Sequence, residues 1–324
     1  MQPFFATLNP MLTLFICIAI GFILKATGIL SDEAGKTIAK LETWVFCPAL
    51  SFITMAKYCT VKSLGTHSTY VILGCFAIAI CLIIAIPLAK AFTKRNKEER
   101  GIYEYALAVA NFGYMGDSLV LSMFGGEILS FYKLFTLPGT VAIYIWGIGR
   151  LIPKNKANGS ALKRLLNAPM IAMILGIIVG LTGLGNNMPI YIDSALNSLS
   201  ACMGPVAMLL AGFTVARFNI FTMLKDKKVY IATIFRLIII PVVIIASLFA
   251  IKLLSNIIFN TDIGNTVLYL SLFYVATPFG LNTIVFPEAY GGSSKTGASM
   301  ALISHLLCII TIPLLYALMN FIFS

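Results

Sequence analysis

The sequence predicts an all-α polytopic membrane protein of ten transmembrane helices, arranged as a 5+5 inverted repeat with helices four and nine broken. Three observations lead there. Of 324 residues, 59% are hydrophobic and only 11% are charged, with a mean hydropathy of +0.95, whereas a soluble domain carries about 25% charged residues. The apolar residues gather into runs near the roughly 20 that one bilayer crossing needs. Two of these runs are interrupted in matching places, at Ala110-Asn-Phe-Gly-Tyr-Met-Gly-Asp-Ser118 and at Thr277-Pro-Phe-Gly-Leu-Asn-Thr283. Irregular backbone at membrane depth survives only inside protein or beside a wet cavity. Paired interruptions in two halves of a chain point to a binding site.

The first five spans are expected near Met11–Thr27, Thr37–Ala56, Thr69–Phe92, Tyr103–Phe124 and Leu129–Ile148. The other five are expected near Asn167–Gly183, Ile190–Ala216, Val229–Leu253, Thr266–Tyr290 and Gly297–Phe323. Met1 to Asn9 has no basic segment, and the first run continues without a small-residue cleavage site, so no leader peptide is expected. With both termini outside, eighteen of the 23 lysines and arginines fall in inner loops. Lys57, Lys62, Lys133 and Lys252 are left outside, and Arg236 lies within a span. That asymmetry follows the positive-inside rule and accounts for the net charge of +11 as a topology signal rather than a nucleic-acid surface.

The halves answer each other. Pro48 of span two matches Pro205 of span seven, Phe112-Gly113 matches Phe279-Gly280, and Thr136-Leu-Pro138 matches Thr311-Ile-Pro313. Five spans is an odd number, so the second half enters the membrane with opposite sense. This divides the chain into a first repeat (1–150), a cytoplasmic linker (151–165) rich in Pro, Asn, Gly and Ser, and a second repeat (166–324). The seven cysteines show no metal spacing and read as small buried hydrophobes. His67 falls in an outer loop and His305 in span ten, too few histidines for a zinc site. Gly291-Gly-Ser-Ser-Lys295 lacks the spacing of a phosphate loop.

Gly21-Phe-Ile-Leu-Lys-Ala-Thr-Gly-Ile-Leu-Ser-Asp-Glu33, running into Val45-Phe-Cys-Pro-Ala-Leu50, resembles the opening of the auxin efflux carrier family. That family includes plant PIN carriers and bacterial permeases assigned to malate or malonate. Asn111 to Leu119 is similar to its fourth-span signature, and Pro278-x-Gly280, Val285-Phe286, Tyr290 and Thr311-Ile-Pro313 are similar to its ninth and tenth spans. The resemblance implies a scaffold of helices 1, 2, 6 and 7, often dimeric, and a transport unit of helices 3–5 and 8–10. In that unit, helices four and nine cross at their breaks, and substrate moves by an elevator motion. The chain departs from the family at Ala110, where plant members have proline. It also departs at Asp117, where an apolar residue is usual, and at Ser118, where proline is usual.

At such a crossing, half-helix N-termini favour an anion. Asn111 and Asn282 would orient it, Thr277, Thr283 and Ser118 offer hydroxyls, and Gly113, Gly116 and Gly280, next to Pro278, let it approach the backbone. Satisfying the broken helices is the alternative role for all of these. Asp117 either couples transport to H⁺ or Na⁺ or caps the second half of span four. Arg236 snorkels to the edge, pairs with a carboxylate or helps attract the anion; Glu42 and Glu104 are expected at interfaces.

The expected function is a secondary transporter of a small organic anion, a dicarboxylate or an auxin-like monocarboxylate, in the cell membrane. Its partners would be that anion, lipid and a second copy of the chain, with Gly176 and Gly180 as a close-packing pair. No nucleic acid, metal or cofactor is expected beyond the coupling ion. The chain carries neither an Asp-rich metal motif nor a paired nucleophile and base, so an enzyme is not expected. A membrane sensor on a transporter fold, or an anion channel, are the alternatives. Ser324 closes the last span, which argues against the appended domain of a sensor.

Overall fold

In the computed structural model, residues 2–93, 97–152, 166–259, 264–290 and 293–323 are described. The expected linker falls almost wholly on 153–165, outside the described residues. The helices in order are α1 (Gln2–Ala26), α2 (Ala34–Tyr58), α3 (Val61–Phe92), α4 (Lys97–Ala108) and α5 (Phe112–Leu151). After them come α6 (Ala168–Leu181), α7 (Ile190–Ala216), the short α8 (Ile220–Leu224) and α9 (Lys227–Ile258). The chain closes with α10 (Thr266–Val275), α11 (Asn282–Tyr290) and α12 (Lys295–Phe323). Among the described residues no β-sheet forms; a single β-bridge joins Ala110 to Phe279. Among the described residues, seven helices are long and apolar enough to cross a membrane, and α6 and α10 are shorter apolar helices.

Local sequence explains most of the boundaries. Thr60 opens α3 with a reciprocal cap, its hydroxyl accepting from the Ser63 N–H while the Ser63 side chain accepts from the Thr60 N–H. Since α3 begins at Val61, His67 lies within a helix and not in a loop. Asn167 caps α6 by accepting from the Met170 N–H at 3.1 Å. The 40 residues of α5 would extend about 60 Å at 1.5 Å per residue, about twice the hydrocarbon core. Gly125 resolves the excess. Its φ of +82° is a left-handed value that costs glycine little, and it kinks α5 into arms 112–124 and 126–151. Four π turns (Glu42–Phe46, Phe112–Gly116, Ile143–Gly147 and Phe235–Ile239) interrupt the helices; such turns shift side-chain register and recur at functional sites.

Small residues bring helices close, as membrane packing requires where lipid supplies no competing hydrophobic force. In the α1–α7 pair, a Cβ at Gly21 would stand 2.0 Å from the Leu209 carbonyl oxygen, and one at Gly212 would stand 1.9 Å from that of Ile18. The α2–α6 pair repeats the device. Cβ atoms at Gly176 and Gly180 would meet the Phe52 and Met55 carbonyl oxygens at 2.6 and 2.5 Å. The Gly176/Gly180 pair is therefore spent inside one chain and offers no support for a dimer. Gly180→Leu is expected to destabilise by about 1–3 kcal/mol through overpacking. Gly65→Ala, on a helix face with no atom within 4 Å of the added carbon, is expected to leave the thermal midpoint unchanged or raise it. Thermal scans of the two variants check both.

Three charged side chains are sealed within the protein. Glu42 is wholly buried and Glu104 is 4% exposed; Glu104 pairs with Arg150 at 2.9 Å. Lys133 is not an outer-surface lysine. It is buried on the second arm of α5, because an aspartate waits for it on the first.

Candidate functional site: two unwound segments around a cavity

The chain leaves the helix between Ala108 and Phe112, and again between Val275 and Asn282. These two unwound segments run antiparallel against each other. The Asn111 N–H donates to the Pro278 carbonyl at 2.8 Å, and the Gly280 N–H donates to the Val109 carbonyl at 3.2 Å. Pro278 has no N–H to satisfy, and a Cβ at Gly280 would crowd the Val109 and Ala110 carbonyl oxygens at 3.1 Å.

Helix breaks orphan carbonyls at the C-terminal ends. Arg236, 1% exposed and carried on the π turn of α9, serves both ends at once. Its Nη1 donates to the Leu107 carbonyl at 2.8 Å and its Nη2 to the Val275 carbonyl at 2.7 Å. Neither snorkelling nor a carboxylate partner describes it. The partial negative charge of two helix C-termini supplies its partner. The Tyr132 hydroxyl lies between the Phe112 and Phe273 carbonyl oxygens, at 3.2 and 3.1 Å, and ties α5 to α10.

Asn111 lies against His305, with Nδ2 at 3.2 Å from Nε2. Nδ1 of His305 is 2.8 Å from the Ala301 carbonyl, which can only accept. Nδ1 therefore carries the hydrogen, Nε2 accepts, and Asn111 must present its NH₂. That orientation leaves Asn111 Oδ1 buried without a protein partner. Asn282 Nδ2 donates to the Tyr105 hydroxyl at 2.8 Å. Asp117 is 1% exposed and forms an ion pair with Lys133 through Oδ2, while its Oδ1 has no hydrogen-bond partner. No side-chain cap forms at the start of that helix segment, so the capping role expected as one alternative for Asp117 is not the one found.

A cavity of about 80 Å³ opens beside the paired segments. Asn111, Gly113, Asp117, Lys133, Gly280 and Asn282 contribute to its wall, with Met170, Met173 and Met203 on the apolar side. At roughly 10–15 Å³ for each water position, this is room for a few waters or one small organic ion. Gly113 has nothing within 4 Å of an added Cβ, so the backbone N–H groups opening α5 are approachable there. The other five nominated residues lie outside the lining, among them Thr283, which is buried and donates to the Gly280 carbonyl at 2.8 Å. Gly116 is covered by Tyr132, whose hydroxyl would be 2.2 Å from a Cβ. Ser118 donates to the Tyr114 carbonyl at 2.8 Å and abuts Gly204. Pro278 spends its carbonyl on the bridge, and Thr277 is fully buried with an unpartnered hydroxyl.

Sequence reading missed Lys133, His305, Tyr105 and Tyr132 as members of this constellation. Lys133 had a usable signal: it is a charge inside an apolar run, the same anomaly that marked Asp117. Away from the cavity, Arg217 at the end of α7 pairs with Asp32 at 3.5 Å and with Glu288 of α11 at 2.6 Å. In the turn between α1 and α2, the Lys25 hydrogen bond and charge, with help from Arg217, hold the Asp32 carboxyl below its ordinary range. Among the described residues no cluster of three or more His, Cys, Asp or Glu side chains could hold a metal ion.

A family model described as "Membrane transport protein" matches residues 6–316. The chain belongs to this family. An uncharacterized transporter of Methanocaldococcus jannaschii is 27% identical over 258 residues, covering 77% of this chain and 80% of that protein. An uncharacterized transporter of Methanothermobacter thermautotrophicus is 24% identical over 221 residues, covering 65% of this chain and 69% of that protein. In this membrane transport protein, the matched region includes both unwound segments and every residue of the cavity.

Proposed function

We propose that this membrane transport protein is a secondary carrier for a small organic anion, moved by alternating access of an elevator type. One observation carries the reading: a cavity where the N-terminal end of α5, the start of α11 and the Lys133 ammonium converge. Helix N-termini and a buried cation favour an anion. The asparagines supply orienting donors and acceptors, and Gly113 leaves backbone within reach. The cavity volume favours a short dicarboxylate or monocarboxylate over a bulky aromatic acid such as auxin. Likeness to malate or malonate permeases fits that preference better than likeness to plant PIN carriers.

Ten crossings follow if α4 with the first arm of α5 makes the fourth, the second arm the fifth, and α10 with α11 the ninth. The glycine-mediated pairs α1–α7 and α6–α2 exchange under a two-fold that swaps the halves, as does the bridge between Ala110 and Phe279, which supports an inverted repeat. Helices α1, α2, α6 and α7 would form the scaffold and the rest the moving unit, with both termini outside the cell membrane and a homodimer through the scaffold. Asp117 Oδ1 and Asn111 Oδ1, two acceptors without partners, would take a coupling H⁺ or Na⁺.

The test is thermal stabilisation of the purified protein by malate, malonate, succinate, lactate and indole-3-acetate, at two pH values and with or without Na⁺. A ligand at about 100 times its Kd adds roughly 2.7 kcal/mol to the folded state. Stabilisation by one of the smaller acids is expected, and its loss in an Asn111→Ala, Asn282→Ala double variant. Silence across the panel removes small carboxylates as cargo. Saturable flux with counterflow distinguishes the carrier from an anion channel.

A further inference from the structure

Five charged side chains are buried among the described residues, and four have evident partners. Glu104 meets Arg150, Asp117 meets Lys133, and Arg236 holds two helix ends. Glu42 stands apart. It has no exposed surface, and no hydrogen-bond donor reaches Oε1 or Oε2. An ionised carboxylate sealed from water without a counter-charge is too costly to keep, and taking up a proton removes the charge.

Its position gives that proton a use. Glu42 opens the π turn of α2, and its own carbonyl accepts from the N–H of Cys47, a residue of the cavity wall. Tyr114, on the first arm of α5 and also in that wall, is close enough to interact electrostatically with the Glu42 carboxyl, as is Cys47. The turn packs on α6 and α7. α6 has no titratable residue, and those of α7 are Tyr191, Cys202 and Asp193, the last paired with Lys57 at 2.5 Å. No cation from either helix answers Glu42.

We propose that Glu42 is a proton-binding site of the transport cycle, set behind the cavity wall between α2 and the first arm of α5. In the arrangement seen here, with no surface exposed, its carboxyl holds the proton. When α5 shifts against α2 and water reaches the carboxyl, the O–H bond breaks, the proton passes to that water, and the carboxylate is solvated. Reprotonation from the other side of the membrane resets it, so the anion and a proton move together. This rests on the carrier reading and assigns the coupled proton to Glu42 in place of the Asp117 and Asn111 acceptors.

Infrared spectra of the purified protein at pH 7, wild type against Glu42→Gln, test the site without any substrate. A C=O band of a protonated carboxyl, present in the wild type and absent from the variant, is expected; a missing difference band overturns the proposal. Glu42→Asp guards against misfolding of the glutamine variant, since it should keep a protonated-carboxyl band. Proteoliposomes holding a pH dye and given a malonate gradient then test coupling. Wild type should acidify as malonate enters, and Glu42→Gln should lose most of the proton signal while malonate uptake continues. Proton movement at the wild-type ratio in that variant overturns the role in coupling. Absence of malonate uptake in both proteins would instead count against the malonate reading, with the infrared band still deciding the proton site.

Discussion

Arg236→Met is expected to be among the single substitutions around the paired segments that lower the thermal midpoint most. The guanidinium donates to the last turns of α4 and α10 together, and no other side chain reaches the Leu107 and Val275 carbonyls among the described residues. A hydrogen bond to a charged group contributes about 1.5–3 kcal/mol, so two of them amount to roughly 3–6 kcal/mol, at the far end of the usual range for point variants. Methionine fills a similar volume, which separates the lost bonds from a cavity effect. Arg236→Lys is expected to fall between, because one ammonium lacks the rigid fork that spans two carbonyls. Thermal scans of the three proteins in the same detergent give the order. If Arg236→Met melts with the wild type, the bridge between helix ends is dispensable and this account of the paired segments is wrong.

The second large effect belongs to the pair on α5. Asp117→Asn leaves the Lys133 ammonium buried without its counter-charge, and Lys133→Met does the same to the carboxylate. Breaking a buried pair from one side costs about 3–5 kcal/mol, whereas replacing both partners with neutral groups is close to neutral. Each single variant is therefore expected to be markedly unstable and the double variant to recover, a coupling that a double-mutant cycle measures directly. Transport separates the roles. The recovered double variant should bind its anion at least about tenfold more weakly, as loss of a charge-assisted contact implies. Full affinity in the double variant would show that Lys133 serves only to neutralise Asp117.

The interrupted stretches were legible because a bilayer imposes a severe rule on each segment separately. A run such as Tyr103–Phe124 must either be apolar and helical or explain why it is not, and Gly113 with Asp117 could not be explained as lipid-facing. Asn111, Gly113, Asp117, Gly280 and Asn282 were found in that way, and the cavity gathers all five. Gly116 and Ser118 were drawn in by the same rule and belong to packing instead. A glycine that admits a ligand and one that admits Tyr132 look alike until the neighbouring helix is in place.

Partners were beyond the sequence. Lys133 is 16 residues from Asp117, Val275 is 39 from Arg236 and Leu107 is 129, and His305 is 194 from Asn111. A charge in an apolar run announces that it needs something, and the run itself does not say whether a carboxylate, a helix end or nothing at all will answer. Glu42, Arg236 and Lys133 met three different fates for that reason. The sequence by itself determined that this protein lives in a membrane, where its apolar helices lie, and which two segments depart from them, since those follow from the cost of exposing backbone and charge to lipid one segment at a time. Only the tertiary structure decided which polar groups face each other across the unwound segments and which were left without a partner, because that depends on how close distant helices come.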